Sequence, residues 1–142
     1  MTYLLDTNVI SELRKLGDGR ADPNVVRWFE AHRSAQFFVS VITIIEIERG
    51  ILGVLRRDEK QGAMLRIWMD NHVRPQFADR ILAIDDAVAT RCAGLHVPDR
   101  RSEADALIAA TALVHNLSIV TRNISDFDGT GVVVINPWNA VF

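Results

Sequence analysis

Short apolar runs of strand character alternate along this chain with stretches of helical periodicity, and that alternation constrains the fold more than any other feature. Residues 3–5, 37–41, 80–84, 117–120 and 132–135 read as strands. Between them, Asp22-Pro23 supplies a cap and a first-turn proline for a helix through Val25, Val26, Trp28 and Phe29. Thr43-Ile44-Ile45-Glu46 has capping-box spacing and opens a helix that runs past Gly50 toward Arg57. Gln61 to His72 then sets Met64, Leu65, Trp68 and Met69 at helical spacing, so residues 43–72 read as a helical hairpin. Asp85-Asp86 caps a helix over 87–95, and Ser102 to His115 carries Leu107, Ile108, Thr111 and Ala112 on one apolar face. The pattern predicts an α/β fold: a three-layer α/β/α sandwich with a mainly parallel central sheet. Sheets of this kind bind ligands outside the carboxyl ends of their strands, where the strand order reverses.

The chain length of 142 residues and an apolar fraction of 49% suit one domain with a real core. The longest stretches without a charged residue, Ser34 to Ile45 and Ala106 to Val120, fall short of the ~20 residues of a membrane span. Asp6 arrives too early for a signal peptide, with polar Thr7, Asn8 and Ser11 just beyond it, so a cytoplasmic location is expected. Cys92 is the one cysteine, which excludes an internal disulfide or a cysteine-based zinc site and suits packing. A net charge of −2 gives no field for indiscriminate nucleic-acid binding.

Acidic and amide groups recur at strand ends and helix starts. Asp6 directly follows Tyr3-Leu4-Leu5, Glu46 and Asp105 lie in first turns of helices, and Asn123 with Asp126 follows the run ending at Val120. Each has a local explanation: Asp6 as a helix cap, Glu46 closing a capping box with Thr43, Asp105 three residues after Ser102, and Asn123 and Asp126 shaping a turn. The set carries another. If the topology brings these ends together, the carboxylates share one pocket, where they repel one another unless a cation is present. Hard oxygen donors in open coordination suit Mg²⁺ or Mn²⁺, and the chemistry that follows is metal-assisted attack of water on a phosphodiester.

The stretches LLDTNVISE at 4–12, SVITIIEIERGI at 40–51, EADALIAATALVHNLSIVTRN at 103–123 with DF at 126–127, and INPW at 135–138 together resemble a PIN-domain ribonuclease. The nearest likeness is to VapC-type toxins of type II toxin–antitoxin pairs, in their FitB-like branch. The resemblance implies that Asp6, Glu46 and Asp105 are catalytic and bind Mg²⁺ or Mn²⁺. The family often has a fourth acid where this chain has Asn123; Asp126 takes over, Asn123 ligates or orients a water through its amide, or a second metal binds weakly. Thr7 and Thr121 are implied as supports of the motif acids through hydrogen bonds. Also implied are an RNA substrate, a homodimer, and a cognate VapB/FitA-type antitoxin that alone contacts operator DNA, with no membrane involvement. By the same analogy Ile45, Ile51, Leu55, Leu65 and Trp68 either line an antitoxin groove or fill the protein's own core or a dimer interface; Arg49, Arg56 and Arg57 are candidate phosphate contacts or a solvated helix face.

Other readings lack their residues. A receiver-type phosphoacceptor needs a late lysine, and Lys15 and Lys60 are early; a haloacid-dehalogenase phosphatase needs a second acid where Asp6-Thr7-Asn8 has an amide. His32, His72, His96 and His115 have no nucleophile-elbow context. The rival of a different class is a PIN-like domain that no longer cleaves and serves as a binding partner, a reading to which Asn123 gives footing.

Overall fold

The structure, a computed structural model, describes residues 1–139. Its centre is β1 (Thr2–Leu5), flanked by β2 (Gln36–Ser40) and β4 (Ser118–Val120), with β3 (Ile81–Leu82) and β5 (Val134–Ile135) at the edges. The order is β3-β2-β1-β4-β5, and every pairing is parallel. Parallel strands need crossovers, and the helices supply them: α1 (Thr7–Leu13), α2 (Pro23–Ala31), α3 (Val41–Arg57), α4 (Glu59–Trp68), α5 (Arg74–Gln76), α6 (Asp86–Leu95) and α7 (Glu103–His115).

The two-residue period of β1 divides the core. Tyr3 and Leu5 face a cluster containing Val9 and Ile10 of α1, Trp28 of α2, and Ile47 and Ile51 of α3. Leu4 faces the opposite side, against Ile108, Ala109 and Ala112 of α7. Behind α7, its Ala106 and Ala110 pack on Val88 and Cys92 of α6. The three-layer α/β/α arrangement expected from the alternation is therefore present.

Boundaries differ where tertiary contacts outweigh local signals. Ser40, not Thr43, caps α3, its hydroxyl accepting from the Ile42 amide at 3.0 Å, so the helix begins two residues before Thr43. The capping-box expectation for Thr43 and Glu46 thus fails, which releases both side chains for other contacts. At the sheet edge the run 80–84 keeps only two residues in β3, because pairing with β2 stops at Leu82. Gln61 to His72 is helical as expected, but its end widens into a π-turn over Met69–Val73 that buries Met69 and Val73. Asp22 and Asp85 cap α2 and α6 as expected, accepting from Asn24 N at 2.8 Å and Val88 N at 3.0 Å.

Candidate active site

The crossovers place β2 and β3 on one side of β1, and β4 and β5 on the other, so the order reverses beside β1. At the carboxyl end of β1, Asp6 is 8% exposed. Its amide donates to Val120 O at 3.0 Å, extending the β1–β4 pairing by one bond. Its carboxylate accepts from Thr7 N at 2.8 Å, Thr121 Oγ1 at 2.8 Å and Asn8 Nδ2 at 3.3 Å. Asp6 is both the cap of α1 and a buried acid just past the end of β1.

The first turn of α3 lies alongside. Thr7 Oγ1 donates to Glu46 Oε1 at 2.6 Å and lies 3.2 Å from the hydroxyl of buried Thr43. Thr7 and Thr121 thus brace two acids that stand 40 residues apart in sequence. From the other direction comes α7, where Ser102 is the N-cap and half-buried Asp105 occupies the first turn. Ser102 Oγ accepts the Asp105 amide at 3.5 Å, so the local reading of this spacing holds as well. Asp126 stands in a 3₁₀ turn over Ile124–Phe127, which buried Phe127 anchors to the core. Asn123 caps that turn and donates its amide N–H to Thr121 Oγ1 at 3.0 Å. Its side-chain amide has no hydrogen-bond partner among the described residues.

Electrostatics tie the acids into one group. Burial pushes the Asp6 carboxyl above its ordinary range, against the lowering effect of Thr121 and Thr7, and the charges of Glu46 and Asp126 push it further up. Asp105 is raised by burial and then by Asp126, Asp6 and Glu46. Among the described residues, no lysine or arginine forms an ion pair with any of the four. With no cation of the protein's own beside it among the described residues, the cluster is a set of like charges that push the Asp6 and Asp105 carboxyls up.

Sequence reasoning missed Asn8. Its Nδ2 donates to Asp6 Oδ2 and, at 3.2 Å, to Thr121 Oγ1, while its Oδ1 accepts from Arg122 N at 3.0 Å. One side chain therefore locks β1's acid to the segment after β4. The only sequence signal is an amide two residues after Asp6, and its meaning depends on β4 lying next door.

Some expected placements change. Ile51 is 2% exposed and belongs to the core, so it cannot line an external groove. Ile45 is exposed, and Leu55, Leu65 and Trp68 are partly buried against the same core cluster. Arg49, Arg56 and Arg57 are exposed on α3. On the far side of α7, Cys92 Sγ lies 3.8 Å from His96 Nε2, which is 3.1 Å from Glu103 Oε2. The Arg101 amide donates to His96 Nδ1 at 3.0 Å, so the network assigns the proton of the neutral ring to Nε2, facing Glu103. That pattern leaves Nε2 no lone pair for an ion.

Residues 3–131 match the PIN domain family. The chain belongs to that family. It is 34% identical to the VapC ribonuclease Y4jK of Sinorhizobium fredii over 95% of this chain and 96% of that protein. It is 35% identical to the toxin FitB of Neisseria gonorrhoeae over 96% and 98% of the two chains. A solved structure of FitAB bound to a DNA fragment superposes with a TM-score of 0.83 at 32% identity, covering 100% of this chain and 99% of that one. These relatives put this PIN domain in the VapC/FitB branch.

Proposed function

We propose that this single PIN-like domain is an endoribonuclease toxin of a type II toxin–antitoxin module, dependent on Mg²⁺ or Mn²⁺ and acting in the cytoplasm. The observation that carries the proposal is the convergence of Asp6, Glu46, Asp105 and Asp126 near the switch point of the sheet, with no lysine or arginine paired to them among the described residues. The donor set is all oxygen and anionic, which fits a hard divalent ion. Asp6, Glu46 and Asp105 would hold it, with Asp126 and the uncommitted amide of Asn123 completing the shell directly or through water. When bound, such an ion lowers the pKa of a water and stabilises charge developing on a phosphoryl oxygen. Thr7 and Thr121 hold the Glu46 and Asp6 carboxylates in place through their hydroxyls.

Relatives named as a ribonuclease and a toxin support RNA as the substrate and toxicity as the output. Control by a VapB/FitA-type antitoxin, through which operator DNA is reached, fits the cleft of about 500 Å³ lined by Ile10, Leu13, Phe29, Trp68 and Phe77, with Arg14 and Arg80 among its lining residues. A homodimer fits exposed Ile45, Leu52, Met64 and Ile67 on the α3–α4 hairpin. No helix among the described residues is long and apolar enough to cross a membrane.

The test is cleavage of a mixed RNA pool by antitoxin-free protein in Mg²⁺, in Mn²⁺ and in chelator, beside Asp6→Asn. Cleavage that needs both the ion and Asp6 is expected. A folded protein that neither cleaves nor binds the ion would favour the non-cleaving binding partner, the reading Asn123 suggests.

A further inference from the structure

We propose that Arg122, stacked on Trp138, grips an RNA phosphate next to the one held at the acidic cluster. The proposal rests on the ribonuclease reading and names how a polyanion approaches a pocket of carboxylates. An ion at those carboxylates neutralises the reacting phosphate alone, so neighbouring phosphates need cations beside the pocket.

Arg122 is bonded into the pocket wall. Its amide donates to Asn8 Oδ1 at 3.0 Å, and Asn8 in turn donates to Asp6 Oδ2 at 3.3 Å, so two hydrogen bonds separate this backbone from the buried acid. On its other side, the Arg122 carbonyl accepts from Asn136 Nδ2 at 3.5 Å. The guanidinium carbon lies 5.2 Å from the centroid of the Trp138 ring. Trp138 is itself fixed, its amide donating to Asn136 Oδ1 at 2.9 Å and its carbonyl accepting from Asn24 Nδ2 at 2.8 Å in the first turn of α2. Arg122 is exposed, and among the described residues its guanidinium has no carboxylate partner. An arginine held by an aromatic face keeps its in-plane N–H groups free, the geometry that meets a phosphate. Because the rotamer is already restricted, little side-chain entropy is lost on binding. Arg49, Arg56 and Arg57 are exposed on α3, but none of them is bonded to the acidic cluster in this way.

Binding and turnover test this separately. In an Asp6→Asn background, anisotropy of a short fluorescein-labelled single-stranded RNA of mixed sequence is read across a KCl series. Arg122→Gln is expected to weaken binding about tenfold and to make the slope of log Kd against log salt shallower by about 0.7, the value for one lost phosphate contact on a single strand. Arg122→Lys keeps the slope and loses part of the affinity; Trp138→Leu does the same, since the charge remains but its support is gone. In the otherwise wild-type enzyme, Arg122→Gln raises KM and leaves kcat within twofold. An unchanged salt slope in Arg122→Gln overturns the proposal, whether or not Tm falls, because a purely structural brace would not set that slope. If the wild-type protein cleaves no RNA, the ribonuclease reading fails, yet the slope still decides Arg122; an affinity of Arg122→Gln equal to that of its Asp6→Asn parent also overturns the proposal.

Discussion

Asp6 carries two duties that compete in most proteins. As a helix cap it takes the Thr7 amide, and as a buried acid it takes the Thr121 hydroxyl, with Asn8 as a third donor. All three donors are neutral, so they orient the carboxylate without cancelling its charge. Thr7 does for Glu46 what Thr121 does for Asp6. Thr7→Val, close in shape but without the hydroxyl, should therefore weaken Mn²⁺ binding roughly tenfold or more while leaving the circular dichroism spectrum unchanged; unaltered affinity by calorimetry would reduce Thr7 to a packing residue. Removing charge acts in the opposite sense on the fold. Burial and like charges raise Asp105, so without a divalent ion Asp105→Asn should melt at a higher temperature than the parent, and added Mn²⁺ should reverse that ranking by stabilising the parent alone. At this scale the positions of the acids were legible in the sequence, because each sits just past a strand end or near a helix start. It could not show Asn8, whose three bonds span 113 and 114 residues to Thr121 and Arg122 as well as reaching Asp6.

At the scale of elements, the hairpin of α3 and α4 depends on close approach. A Cβ on Gly62 would lie 2.5 Å from the Leu55 side chain and 2.8 Å from the Leu55 Cα. The backbone contact cannot be relieved by rotating a side chain, so Gly62→Ala should destabilise the protein by about 1–3 kcal/mol in denaturant melts despite alanine's better helix propensity. A cross-link reinforces the same region: Arg66 Nη2 donates to Glu48 Oε2 at 2.7 Å and Arg74 Nη2 to Glu48 Oε1 at 2.9 Å, joining α3 to α4 and α5. The Arg66 hydrogen bond first, and Arg74 next, hold the Glu48 carboxyl down at about 2 against an ordinary 4.5. Since the folded value is the lower one, this contribution is complete above about pH 4.5 and is lost as the pH falls toward about 2. Glu48→Gln should flatten the fall in Tm across that window; an identical pH profile would show that the two arginines contribute nothing net. Periodicity made these helices visible, whereas the start of α3 was not, because the Thr43–Glu46 spacing imitates a cap that Ser40 supplies.

For the molecule as a whole, strand order brings scattered acids into one neighbourhood. With β1 central and β4 beside it, the carboxyl ends of β1, β2 and β4 open onto one edge, and α7 enters from the opposite layer to add Asp105. The alternation of strands and helices was enough to predict parallel layers, but not the order β3-β2-β1-β4-β5, since short apolar runs carry no mark of their neighbours. Acids from three separate crossovers are proposed to share a divalent ion. Mn²⁺ titration followed by electron paramagnetic resonance, on the parent, Asp6→Asn and Asp105→Asn, tests it most directly. Saturable binding to the parent that is lost in both variants, each still folded, is the predicted result; a parent affinity preserved in either variant would contradict a shared site.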